Sequence, residues 1–271
     1  MSDLLTYAYA VARAADGLDA AAAALDGVAG APVRLLPSAR DDTLLLVTGQ
    51  VPAEDFREDA LARHLEDLDW LEAVARAHHQ VIETLGARTT VLPLRLATVY
   101  LDDARARDVL DEGRELFAAR LDRLAGHVEW GVKIYADPAS AAPEPDAGSA
   151  AGLTPGRSYL RGRRRQQTHR DSVHRAAQQA AAAVEEAGRR YAVERARHRV
   201  QQGALAGGAG ENVVNDAYLV AGEDSEAFRA EAGRAAEGLP GVRVEVTGPW
   251  VPYSFATPAA GHEGAPTGAA P

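Results

Sequence analysis

Cysteine is absent from this chain of 271 residues, and that absence removes disulfides, thiolate metal sites and cysteine nucleophiles together. Lysine is nearly absent too: Lys133 stands alone beside 28 arginines, which with the heavy use of alanine reads as GC-rich coding bias. Under that bias a single Arg or Ala carries little information. No stretch approaches the ~20 consecutive apolar residues of a membrane span. Met-Ser-Asp opens the chain without the basic and apolar regions of a signal peptide, so a cytoplasmic protein with no membrane partner is expected. Aromatic residues are scarce, at 6%.

What is present is acid, unevenly placed. The formal net charge is -10, and residues 1–150 hold 14 Lys and Arg against 26 Asp and Glu, whereas residues 151–271 hold 15 against 13. Phosphate affinity comes mainly from Lys and Arg, so no nucleic-acid partner is expected for the molecule as a whole. Hydrophobic residues make up 46%, but alanine buries little area per residue, and the cores must rest on Leu, Val and the few aromatics. The length suits two domains.

Periodicity organises the first part. "LLTYAYAVA" reads as a strand, "GLDAAAAALDGV" as a short helix, and "VRLLP" and "TLLLVTG" as strands joined by the polar loop Ser38 to Asp42. A long helix is expected from Pro52 to about Leu85, with Leu61, Leu65, Leu68, Leu71, Val74, His78, Val81 and Leu85 on its apolar stripe. "TTVLPLRLATVY" is extended and interrupted at Pro93, which lacks an N–H and so marks an edge, a bulge or a strand start. Asp102 to Leu124 is helical. "HVEWGVKIYAD" alternates as a half-buried strand.

The order of these elements contains a split β-α-β unit, so residues 1–136 are expected to form a modified ferredoxin-like α+β domain with helices on one face of a largely antiparallel sheet. Residues 137–156 are rich in Pro, Ala, Gly and acid and read as a linker. Residues 157–256 are expected to form a C-terminal α+β domain. It begins with a long helix from Arg157 to about Gln202, whose narrow stripe is Val173, Ala177, Ala180, Val184, Ala187 and Tyr191. A strand "NDAYLVA", a helix from Asp224 to about Glu237 and a strand "VRVEVTG" follow. Residues 257–271, mostly Ala, Gly, Pro and Thr, read as a disordered tail.

Reactive constellations are few. His79 and Glu83 lie at i, i+4 on the long helix and would supply two metal ligands on one face, but no third is apparent. His78, on the apolar stripe, reads as a hydrogen-bonded structural histidine; the alternative is a haem- or metal-dependent enzyme that uses His78 or His79. "RSYLRGRRRQQTHR" carries six arginines between Arg157 and Arg170 and is read as a solvated helix start or a contact to an acidic partner. "GGAGEN" at Gly207 lacks the Lys-Ser/Thr of a phosphate loop, and no Gly-x-Ser-x-Gly elbow occurs. Glu129 and Lys133 share one face of their strand and read as a surface ion pair. No catalytic residue, cofactor or metal is assigned.

Four stretches, taken in order, resemble the gas vesicle protein L/F family. "HHQVIETLGARTTVLPLRLATVY" looks like its helix-to-strand segment through His79, Val81, Leu92, Pro93, Leu94, Arg95 and Thr98. "VEWGVKIYAD" is similar to its strand with Glu129 and Lys133, while "NDAYLV" and "GPWVPYSF" look like its closing part. The opening "YAYAV" agrees as well. Where the family often carries Phe-Gly after Leu-Pro-Leu-Arg, this chain has Leu96-Ala97, and Val251 stands where a proline is common. The resemblance implies a non-enzymatic accessory or minor structural protein of gas vesicles, one that binds the small hydrophobic shell subunit and other accessory proteins.

Within that expectation the candidate residues are Pro93, Arg95, Trp250, Tyr253 and Phe255. Pro93 marks an exposed edge open to strand addition, and Arg95 beside it offers a charge. Pro249 and Pro252 hold the end motif extended, so its three aromatics must pack across something. Either they clamp the C-terminal domain to the first, or they present a docking surface for a shell subunit.

Overall fold

The computed structural model describes residues 3–64, 66–141, 155–200 and 210–256, and of residues 155–159 the backbone only. Leu65, most of the expected linker, the glycine-rich turn at Gly207 and the expected tail lie outside the described residues. The chain is mixed α and β with two antiparallel sheets. Its contacts divide it into two compact units, residues 1–127 with 250–271, and residues 128–249.

The first unit runs β1 (Leu4–Arg13), α1 (Leu18–Ala23), β2 (Arg34–Pro37), β3 (Leu44–Pro52), α2 (Ala53–Phe56), α3 (Glu58–His64), α4 (Leu68–Gly86), β4 (Val91–Pro93), β5 (Val99–Tyr100), α5 (Asp103–Glu112) and α6 (Arg114–Leu124). Its strands lie in the order β2-β3-β1-β4, with β5 also paired to β1. That is the order of a split β-α-β-β-α-β arrangement. The central strand β1 is buried on both faces: Tyr7 and Tyr9 meet His78 of α4, while Thr6 donates from Oγ1 to Asp103 of α5 at 2.7 Å. Helices therefore cover both sides of the sheet, where the sequence pointed to one. The near-continuous apolar run of β1 is the corresponding signal, since a strand covered on both faces loses its alternation.

Two of the expected helices are segmented. The stretch after Pro52 breaks at Arg57, which is extended (φ -68°, ψ 154°), and again before Asp67, whose carboxylate accepts from the N–H groups of Asp69 (3.1 Å) and Trp70 (3.2 Å) and starts α4 afresh. The restart resets the helical phase, so Leu68, expected on the stripe, is 76% exposed. The second break falls at Gly113, between α5 and α6.

The second unit comprises β6 (His127–Ala136), α7 (Pro155–Tyr191), β7 (Ala192–Arg197), β8 (Glu211–Ala221), α8 (Ser225–Gly233) and β9 (Val242–Trp250), with His127 and Trp250 grouped in the first. Its strand order, β7-β8-β6-β9, repeats the split pattern. β6, which the sequence assigned to the first domain's sheet, is a central strand here. Trp130, Val132 and Ile134 of β6 pack with Val173, Ala177, Ala180, Val184 and Ala187 of α7, the stripe read from the sequence, and with Phe228 of α8. Glu129 on the other face is buried as well, where the sequence pointed to a surface position. The first five residues of the expected linker are ordered against this core: the Asp137 N–H donates to the Gly241 carbonyl at 2.8 Å, and Ala141 is buried.

The long helix ends eleven residues before the expected Gln202, because Ala192–Arg197 pairs with β8. Gly188 explains how α7 approaches that sheet. A Cβ there would stand 2.4 Å from Cε1 of Tyr218, so only glycine permits the contact.

Candidate functional site

Helix α4 turns Val74, His78, Val81, Ile82 and Leu85 into the first core and leaves His79 and Glu83 on its flank. His78 is 4% exposed. The Tyr7 hydroxyl accepts the Ala97 N–H at 3.0 Å and lies 3.0 Å from Nδ1 of His78. The ring of His78 thus faces the Tyr7 hydroxyl at Nδ1 and also hydrogen-bonds the Leu94 backbone carbonyl. Burial pushes His78 down to about 4, against the opposing pull of that carbonyl.

This relay ties α4 to β1 and to the turn after β4. Ala97 in that turn is left-handed (φ 61°), the conformation natural to glycine, and it stands where the resembling family often has one. Among the described residues no group of three or more His, Asp or Glu side chains is placed to hold a metal ion.

The flank of α4 receives the closing segment of the chain. The Tyr253 hydroxyl lies 3.0 Å from Nδ1 of His79, and the two rings stack with centroids 5.7 Å apart. Trp250 meets His79 edge-on at 5.8 Å. Glu83 stands 3.8 Å from Nε2 of His79 and accepts the Val251 N–H at 3.4 Å. The His79–Glu83 pair is thus committed to holding residues 250–253. The segment turns at Pro252, where the Tyr253 N–H donates back to the Val251 carbonyl at 2.8 Å, and again where the Ala256 N–H donates to the Tyr253 carbonyl. Arg120 of α6 donates to the Ala256 carbonyl at 3.4 Å.

The five candidate residues fall into different environments. Phe255 is 3% exposed, Tyr253 is partly buried against the first core, and Trp250 is 40% exposed. Pro93 ends β4 at the edge of the sheet order as expected, yet Val91, Leu92 and Pro93 are all buried and α6 packs against the strand. Arg95 is exposed, and its backbone carbonyl accepts from the Thr98 N–H and hydroxyl. Among the described residues its guanidinium has no ion-pair partner.

A family model described as gas vesicle synthesis protein GvpL/GvpF matches residues 5–257. The chain belongs to that family. A protein of Streptomyces sp. named Gas vesicle protein L is 45% identical over 256 residues, 94% of each chain. Two crystal structures of gas vesicle protein GvpF are similar in fold. The one from Anabaena sp. PCC7120 has a TM-score of 0.61 at 16% identity and covers 97% of this chain and 100% of its own. The one from Microcystis aeruginosa has a TM-score of 0.61 at 18% identity and covers 93% and 99%. Nothing in the GvpL/GvpF assignment favours the haem or metal alternative. No helix among the described residues is long and apolar enough to cross a membrane.

Three residues of the site escaped the sequence: Tyr7, Glu83 as the receiver of the Val251 N–H, and Gly86, against which Val251 packs. Tyr7 lay inside the family-like "YAYAV", but nothing local marks a buried hydroxyl. Their partners lie 71, 168 and 165 positions away, beyond the reach of any periodicity.

Proposed function

We propose that this chain is a noncovalent assembly factor of gas vesicles, a cytoplasmic accessory or minor structural protein that binds the small hydrophobic shell subunit and other accessory proteins. The observation that carries the reading is the extent of the family match, which takes in both compact units and the closing motif. The site chemistry is in keeping with binding: its histidines are spent on hydrogen bonds, and its acid and base groups hold backbone in place.

Within this reading the end motif divides its work. Phe255 and Tyr253 act as the clamp, fastening the segment that follows β9 to α4 and α6. Trp250, half uncovered, supplies the aromatic anchor for a partner, with the exposed Arg95 as a second contact. The test is genetic. A producing strain that lacks this chain should fail to form pressure-collapsible vesicles and should recover them when the chain is restored; undiminished vesicles in its absence would overturn the proposal.

A further inference from the structure

Helix α7 outruns the core it helps to build. Among its described side chains the first buried one is Val173, and each from Leu160 to Thr168 is exposed. His169, whose Nε2 lies 2.8 Å from the Pro138 carbonyl, roots the arm. The nine exposed residues give about 13 Å of helix with no cover from the described residues of the second unit.

As an isolated helix this arm is poorly composed. Arg161 faces Arg164 and Arg165 at i+3 and i+4, and like charges at those spacings repel. Its arginines crowd toward the N-terminal end, where the helix dipole is already positive and where the first turn holds no acid. Gly162 costs roughly 1 kcal/mol relative to alanine. From Leu160 to Arg170 there are five arginines and no carboxylate, and the lone large apolar side chain, Leu160, is 60% exposed. Arg161, Arg163 and Arg164 make no side-chain ion pair or hydrogen bond among the described residues. The crowded positive charge and the exposed leucine are both relieved by an acidic surface that carries one apolar spot.

The chain carries such a surface. Between Glu54 and Glu72 there are eight carboxylates against two arginines. Glu58, Asp59, Glu66 and Asp69 are exposed and pair with no cation among the described residues. Among them projects Leu68, the most exposed large hydrophobic residue described. Arm and face thus match in charge, and each bears a single leucine out of place in water.

We propose that the α7 arm of one copy docks on the acidic α3–α4 face of a second copy, with Leu160 against Leu68. A nucleic acid fits the arm less well, because the molecule as a whole is anionic and residues 160–170 contain no Phe, Tyr or Trp on which a base would stack. The contact joins two different surfaces, so it either closes as a reciprocal pair or repeats in line.

Sedimentation velocity of the full chain over a concentration series tests this. Association should appear at about 50 mM salt and weaken at least roughly tenfold by about 500 mM. R161E/R163E/R164E and, separately, E58R/D59R/E66R should each abolish it while circular dichroism shows the fold retained. Mixing the two variants should restore it, since each reversed surface then finds its complement. A chain that stays monomeric at low salt, shows salt sensitivity without concentration dependence, or associates only through added oligonucleotide would overturn the proposal, as would a mixture that fails to recover.

Discussion

Val251 occupies the space a side chain on Gly86 would need: a Cβ there would come within 2.5 Å of Cγ2 of Val251. Alanine is ordinarily the better helix residue, yet Gly86→Ala at the end of α4 should destabilise the protein by about 1–3 kcal/mol through overpacking. Val251→Ala in the same chain should return most of that loss. Urea denaturation of the two single variants and the double variant gives the coupling directly.

His78 predicts a pH dependence whose sign is fixed. Its folded value, about 4, lies below the ordinary 6.5, so the unfolded chain binds the extra proton first. The contribution is fully present above about pH 6.5 and is lost as the pH falls toward 4, amounting to at most about 3 kcal/mol. His78→Gln should flatten the stability curve over that interval relative to the parent. Parallel slopes for the two proteins would contradict the buried neutral ring.

Tyr7→Phe should cost about 1–3 kcal/mol, because it leaves both the Ala97 N–H and Nδ1 of His78 without a partner. Hydrogen exchange at Ala97 should accelerate in that variant.

Ala97→Gly should stabilise the native state by roughly 0.5–1 kcal/mol. The left-handed backbone at this position strains alanine by more than glycine loses in the unfolded chain. The thermal midpoint should rise, without change in the spectrum of the folded protein.

The end motif should separate by residue. Phe255→Ala, which empties a buried site, should cost about 3–5 kcal/mol, and Trp250→Ala under about 1 kcal/mol. Chemical denaturation measures both. A large stability loss at Trp250 would assign it to the clamp with its neighbours.

Local patterns made much of this architecture legible. The stripe from Val173 to Ala187 lies buried as its spacing requires, and the alternation of "HVEWGVKIYAD" is a strand. What could not be read was decided across the sequence. Strand β6 joins β8 and β9 because of pairing that its own residues do not encode, and Ala192–Arg197 leaves the helical pattern for β8 although its residues suit a helix. Asp67 outweighed the leucine periodicity because one capping carboxylate satisfies two N–H groups. At the site, the importance of the closing aromatics was visible from their concentration. Which of them is covered was not, since Trp250 meets His79 and the Ala256 carbonyl next to the buried Phe255 meets Arg120, both more than a hundred residues away.

The most direct measurement is co-purification of the tagged chain with the small shell subunit, expressed together and washed in moderate salt, with Trp250→Ala carried through in parallel. The account predicts recovery of the shell subunit in fixed proportion by the parent chain and a marked loss with the stable Trp250 variant. A parent chain that emerges folded and without shell subunit would contradict it.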